Sequence, residues 1–411
     1  MRSGNTTRMS RLVVLIATVV GSLLTTLSAA APDRRAEDLQ TLLSQLEKRH
    51  KNVYNFTARP ALEAQAAQVR AVLDQTPPEV FRFQLLTITA LVGDAHTYVH
   101  APVDERRLPI LLYWFQNDLR VVRVLPGYEK CLGAKVVSIE GTPAAEMDRK
   151  IRKLLSQNEN EWFYKANSAG LLTVPAALYV AGLTKRLDVV EVAFEGEGGD
   201  TFSLSLPAAP IEAARASWKA YLEKDTPLHA QKPGDGFWWQ TLDDNKTLYI
   251  CFRDYRQMNA LTGPLADAIR KQKPARLVVD LRGNRGGDFN VGRGLIRRLK
   301  ELGCEGGERV YVITGRATFS AAMVNAIDFK KELRATIVGE PAGERPNGYQ
   351  ENEEFTLPNS KLVVSYSTRL YRFLETETDA FQPDHFVEPV WNVFRQGRDA
   401  ALEWILQQPA P

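Results

Sequence analysis

Apolar residues recur at helical spacing through the first part of this chain. Leu39, Leu42, Leu43 and Leu46 stand at i, i+3, i+4 and i+7, and residues 61–73 are alanine-rich and amphipathic. The pattern predicts helices over 33–92, broken at Pro77-Pro78 and resumed over 81–91. After residue 108 the period shortens. Runs 108–115 and 119–125 are strand-like and are separated by Gln116-Asn117-Asp118, a hairpin signal. A strand and a Gly turn follow in LGAKVVSIEGTPAAEM (132–147), with a helix expected over 144–155. Residues 187–207 alternate around Gly196-Glu197-Gly198-Gly199, and 218–239 is loop-rich.

From residue 247 apolar strand-like runs at 248–252, 276–281, 309–314 and 336–339 alternate with helical segments at 261–271, 291–302 and 321–329. That alternation implies a parallel-type sheet with crossover helices, hence an α/β (α+β) fold.

The start of the chain follows a different rule. Arg2, Arg8 and Arg11 precede an apolar run at 12–24, and Ser28-Ala29-Ala30-Ala31-Pro32 follows. A basic, then apolar, then small-residue order is that of a secretory signal peptide, with cleavage expected after Ala30 and a periplasmic or secreted address. An uncleaved membrane anchor is the alternative. No later stretch reaches 18 apolar residues, so no membrane span is expected after signal cleavage.

Composition narrows the function classes. Of 411 residues, 44% are hydrophobic and 25% charged, which excludes a mostly disordered chain. Lys and Arg number 52 against 49 Asp and Glu, a balance that gives no reason to expect nucleic acid as a partner. Three cysteines with no CxxC pair, and five histidines with no HExxH, support neither a disulfide framework nor a zinc site.

Two loops carry candidate chemistry. In LVVDLRGNRGG (277–287) an apolar strand runs into a glycine-dense turn, whose backbone N–H groups can face an anion or simply make a tight turn. A Walker A loop would need GK[ST], which is absent. In VYVITGRATFSAA (310–322) a second strand ends in a loop that presents Ser320 just before a helix. Such a serine is ordinarily an N-cap. Both loops nevertheless leave the same sheet edge, where α/β sites form, and the helix N-terminus favours developing negative charge. The surroundings are not GxSxG. A nucleophilic serine needs a base, and His96 in GDAHT (93–97) is the candidate, brought there only by the tertiary fold.

Taken together, DLRGNRGG, TGRATFSAA, VGEPAG, GDAHT and the late FQPDHFVEP resemble the tail-specific (C-terminal processing) and tricorn-core family of serine peptidases over residues 85–390. The resemblance implies a ClpP/crotonase-like ββα superhelix catalytic core with an N-terminal helical domain and a PDZ-like β-rich insert, peptide or protein as substrate, and no cofactor. Residue by residue it implies Ser320 as nucleophile and the N–H groups of Gly286 and Ala321 as oxyanion hole. The tail-specific branch places a lysine about 25 residues after the serine; here that position is Arg345, which cannot act as a base. The tricorn-like branch uses a histidine, matched by His96, and a late glutamate. Counting six back from Pro383 gives Glu377, with Glu375 and Asp379 as alternatives because Ala380-Phe381 departs from the usual Gly-Val.

The organisation implied is a signal peptide (1–30), a helical region ending in the GDAHT loop (31–100), the PDZ-like insert (101–185), strands and linker (186–240), the catalytic core (241–395) and a C-terminal helix or tail (396–411). A non-catalytic peptide- or ligand-binding module on the same scaffold, and an acyl-ester hydrolase, are the competing functions. Asp94 is expected to orient the His96 loop or cap its turn, and Arg282 and Asn284 to brace the glycine turn or contact substrate. Arg369 and Arg372 are candidates for contacting a substrate carboxylate.

Overall fold

Strands covered on both faces bury every position and are mostly apolar, and three strands here meet that condition. Thr247–Phe252, Arg276–Asp280 and Val310–Thr314 are buried at every position. They lie in a six-stranded sheet ordered Phe237–Leu242, Thr247–Phe252, Arg276–Asp280, Val310–Thr314, Thr336–Gly339, His385–Phe386. The first pair is antiparallel and the rest are parallel. The computed structural model describes residues 34–210, 217–223, 226–242 and 246–409. The expected signal peptide lies outside the described residues.

Alternate residues serve opposite faces of this sheet, as the pleat requires. Leu277, Val279, Val310 and Val312 pack with Leu295 and Leu299 of the helix Phe289–Glu301 and Met323 and Ile327 of the helix Ala321–Leu333. Val278, Tyr311 and Ile313 face the other way, onto Leu402 and Ile405 of the C-terminal helix Ala400–Gln407. Each such aliphatic side chain contributes about 1.5–3 kcal/mol by leaving water. The crossovers place three loops at the C-terminal strand edge: the glycine turn after Asp280, the segment after Thr314, and the segment after Gly339.

The remaining chain wraps this sheet. Helices Arg35–Arg49, Arg59–Val72 and Phe81–Thr89 match the expected N-terminal helices, and Pro78 opens a short 3₁₀ turn at the expected break. A seven-stranded sheet holds the hairpin Ile110–Phe115/Asp118–Val124, as its spacing implied, together with Lys135–Ile139. This sheet runs past residue 185, taking in Val189–Glu195 and Thr201–Pro207. Two helices the pattern did not indicate, Glu161–Leu171 and Pro175–Val180, lie between; Asn160 caps the first by accepting from Phe163 N–H at 2.9 Å.

A long hairpin, Asn347–Thr356 with Val363–Arg372, then closes the fold on its own start. Val363–Arg372 pairs antiparallel with Tyr98–Val99, Tyr98 opposite Ser365. That pairing returns the loop carrying His96 to the C-terminal part of the chain. Among the described residues no helix is long and apolar enough to cross a membrane.

Candidate active site

Ser320 stands at the N-cap of the helix Ala321–Leu333, but its hydroxyl does not cap. Its backbone is at φ 54°, ψ −127°, a region that L-residues avoid and that persists only where surrounding structure enforces it. The bend turns the side chain away from the helix. Three contacts hold the loop in place. Phe319 N–H donates to Asn284 O at 3.1 Å, Thr318 Oγ1 donates to Leu281 O at 2.9 Å, and Gly343 N–H donates to Thr318 O at 3.1 Å. Thus the loops after all three strands are tied together. The sharp strand-to-helix turn is achieved without the GxSxG pattern.

Across the gap, His96 Nε2 lies 3.0 Å from Ser320 Oγ, bridging 224 residues of sequence. The imidazole is buried and stacks on Phe319 with ring centroids 4.9 Å apart. Asp94 shapes this loop. Its Oδ1 accepts from His96 N–H at 3.1 Å and from Ser367 Oγ at 2.6 Å, and its Oδ2 faces Thr97 Oγ1 at 3.1 Å and His50 Nε2 at 2.9 Å. Ser365 Oγ donates to His96 O at 2.7 Å. The hairpin strand therefore fixes the histidine backbone as well as the loop. Gly93 (φ 87°) ends the preceding helical turn, and a Cβ there would stand 2.5 Å from Phe56 Cβ.

The carboxylate behind the histidine is Glu344, not Glu377. Glu344 Oε1 stands 3.2 Å from His96 Nδ1, slightly off the line of a hydrogen bond, and its Oε2 accepts from Ser320 N–H. Glu377 pairs with Arg372 on the surface, about two-thirds exposed. Asp379 pairs with Arg345 and is exposed as well. Arg345, one residue beyond Glu344, turns outward to make that pair. Glu375 is exposed too. The expectation for the third carboxylate is thus corrected: the hairpin carries the 375–379 tract to the rim, while the loop after Thr336–Gly339 enters the site.

Burial sets the electrostatics. It lowers the His96 pKa to about 4, with Asp94 acting the other way, so the imidazole is neutral near pH 7. It holds Glu344 well above the ordinary carboxylate range, with Glu159 adding to the effect and the Ser320 N–H opposing it. Glu159 is itself raised to about 8 by burial, although Arg345 N–H and Ala95 N–H both donate to it. Glu159 thereby links the histidine loop to the Glu344 loop.

Gly286 takes φ 107°, and a Cβ on it would lie 2.8 Å from Ser320 Cβ, so only glycine permits this approach. Its N–H donates to Asn284 Oδ1 at 3.0 Å. Ala321 N–H has no intramolecular acceptor among the described residues. Asn284 also donates to Phe252 O, and Arg282 braces the turn through Asp280 and Asp399. Arg369 and Arg372 lie exposed on the hairpin, paired with Glu351 and Glu377.

No protein-family profile matches the chain, and no curated protein matches it in sequence. Solved structures match its fold. Mature CPAF complexed with lactacystin superposes with a TM-score of 0.62 at 11% identity, covering 91% of this chain and 97% of that one. A serine-to-alanine mutant of CPAF gives 0.61 at 11%, covering 92% and 98%. The photosystem II D1 C-terminal processing protease gives 0.41 at 16%, covering 89% and 98%, and the fold assignment does not rest on it. Over nine-tenths of its length, this chain has the fold of CPAF.

Proposed function

We propose that the chain is an exported serine-type peptidase of the tail-specific/tricorn-core family, working through Ser320, His96 and Glu344. The observation that carries this reading is the 3.0 Å approach of Ser320 Oγ to His96 Nε2, with a buried carboxyl 3.2 Å from the other ring nitrogen. In this reading the six-stranded sheet is the ClpP/crotonase-type core and the seven-stranded sheet the PDZ-like insert.

The chemistry follows from the geometry. Ser320 Oγ attacks a peptide carbonyl while His96 Nε2 takes its proton. His96 Nδ1–H turns toward Glu344, which stabilises the imidazolium when ionised. Ala321 N–H receives the oxyanion, joined by Gly286 N–H as its bond to Asn284 is exchanged for the stronger acceptor. His96 then protonates the leaving amine. Water, deprotonated by the same nitrogen, releases the acyl group. CPAF supports the reading through its shared fold, through its complex with lactacystin, and through the existence of a serine-to-alanine mutant.

The test is a fluorophosphonate probe together with peptide hydrolysis. Wild type should be labelled and should cleave, and Ser320→Ala should do neither. Labelling that survives Ser320→Ala rejects the assignment. Ester turnover with peptides untouched would favour the acyl hydrolase.

A further inference from the structure

Beside the nucleophile lies a cavity of about 500 Å³. Phe319 and Ala317 of the nucleophile loop form one wall, Phe163, Ala166 and Asn167 of the helix Glu161–Leu171 another, and Asp94-Ala95 the floor beneath His96. Phe319 on its wall is the residue before Ser320, so the cavity adjoins the position of a bond attacked there.

Four arginines line it, and three of them are in contact with a carboxylate. Arg82 and Arg107 share Glu105 at 2.6 and 2.7 Å, and Arg316 pairs with Glu340. Arg285 differs. Among the described residues it has no carboxylate within salt-bridge distance; its one polar contact is Nη1 to Asn167 Oδ1 at 3.5 Å. A neutral amide at that distance leaves the guanidinium fork essentially unused. The side chain stands exposed at the cavity rim, where partial desolvation by the surrounding protein draws its pKa down with no acidic neighbour opposing. The acid lining the cavity, Asp94, has both oxygens occupied by His50, His96 N–H, Thr97 and Ser367. Arg285 also precedes Gly286, whose backbone abuts Ser320.

We propose that Arg285 is a specificity determinant that binds a carboxylate of the substrate in this cavity, close to the scissile bond. The proposal rests on the peptidase reading above and adds its substrate class. A planar guanidinium with free parallel donors matches a carboxylate bidentately. The apolar walls, Phe163, Phe319 and Ala166, suit the methylenes that carry such a group. The carboxylate can come from an Asp or Glu side chain or from a free C-terminus.

Matched fluorogenic peptides decide it, assayed with the full chain: Glu against Gln at each position flanking the cleaved bond, and free against amidated C-termini. Wild type should prefer one carboxylate-bearing member about 10- to 100-fold in kcat/KM, and the arm that shows the preference identifies its source. Arg285→Gln should bring that ratio near one, and Arg285→Glu should turn it toward Lys-bearing peptides. The ratio is informative even where the variant slows every substrate. The preference should also shrink with added salt, because Arg285 sits at a solvent-reachable rim. Equal cleavage of carboxylate and amide peptides by wild type, or an unchanged ratio in Arg285→Gln, overturns the proposal. Fluorophosphonate labelling of Ser320 and anisotropy binding of the same peptides to Ser320→Ala separate the two readings. Carboxylate-dependent binding without labelling leaves the cavity assignment standing and removes the peptidase; labelling with carboxylate-blind binding and cleavage does the reverse.

Discussion

Replacing Glu344 with Gln tests which carboxylate serves the histidine. When His96 takes the serine proton, a positive charge appears 3.2 Å from Glu344 Oε1. At an effective dielectric of about 20, a full charge pair at that distance is worth about 5 kcal/mol. Gln keeps an amide oxygen, retaining a hydrogen bond of about 1 kcal/mol. The net loss is about 4 kcal/mol, or roughly a thousandfold in rate. That loss applies only where Glu344 is ionised, and burial raises its pKa. At low pH the wild-type carboxyl is neutral, as Gln is, and the two proteins should react alike. As pH rises through the Glu344 ionisation, wild type should accelerate and the variant should not. Burial, with the Glu159 and Asp94 carboxyls adding to it, moves the onset upward. The assay is the second-order rate of fluorophosphonate inactivation from about pH 5 to pH 9, which follows nucleophilicity without needing a substrate sequence. Glu377→Gln is the companion and should match wild type within about twofold, as surface changes ordinarily do. A wild-type-like Glu344→Gln at high pH, a pH-independent ratio, or a larger defect in Glu377→Gln would refute the reasoning. Thermal melts of both variants check that Ser320 N–H, which also donates to Glu344, has not unseated the loop.

Other outcomes follow from the same geometry. Ser320→Ala should lower peptide turnover by about 10⁴–10⁶ and abolish labelling. Gly286→Ala should all but abolish activity, since its Cβ would meet Ser320 Cβ at 2.8 Å on a backbone of φ 107°; intact melting with lost labelling would locate the damage at the nucleophile. Asp399→Asn breaks a buried pair with Arg282 and should cost about 3–5 kcal/mol near pH 7. Arg282 and His229 hold the Asp399 pKa below its usual value, so that stability is present above about pH 4 and lost as pH falls further; the wild-type and variant melting temperatures should converge in acid. Glu159 acts oppositely. Its pKa is raised to about 8, so the unfolded chain ionises first and stability falls from about pH 4.5 toward 8, a slope that Glu159→Gln should flatten in melts taken across that range.

The sequence carried much of the core. Buried parallel strands read as unbroken apolar runs, which is why Thr336–Gly339 was placed to the residue and Val310–Thr314 within one. Other elements left no such trace. The strand Asn347–Thr356 is mostly polar, because its hairpin is exposed along much of its length. The helix Glu161–Leu171 has a mixed face, half turned to the cavity, and Asn160 followed by Glu161 was its one local signal. Ser320 and His96 were legible from their loops. The carboxylate was not, because spacing counted from motifs pointed to Glu377 and Arg345, and burial is a property of the folded chain. Only the curl of the 340–344 segment against Thr318 O carries Glu344 inward.

The hairpin that pins the histidine loop has a consequence for how this chain matures. Its strands lie beyond residue 346, so the loop at 93–97 gains its anchors, Ser365 and Ser367, only after nearly all the protein has been made. Contacts this distant in sequence form late and slowly. A nascent or partly assembled molecule therefore holds Ser320 and His96 apart, and the two meet only in the finished tertiary structure.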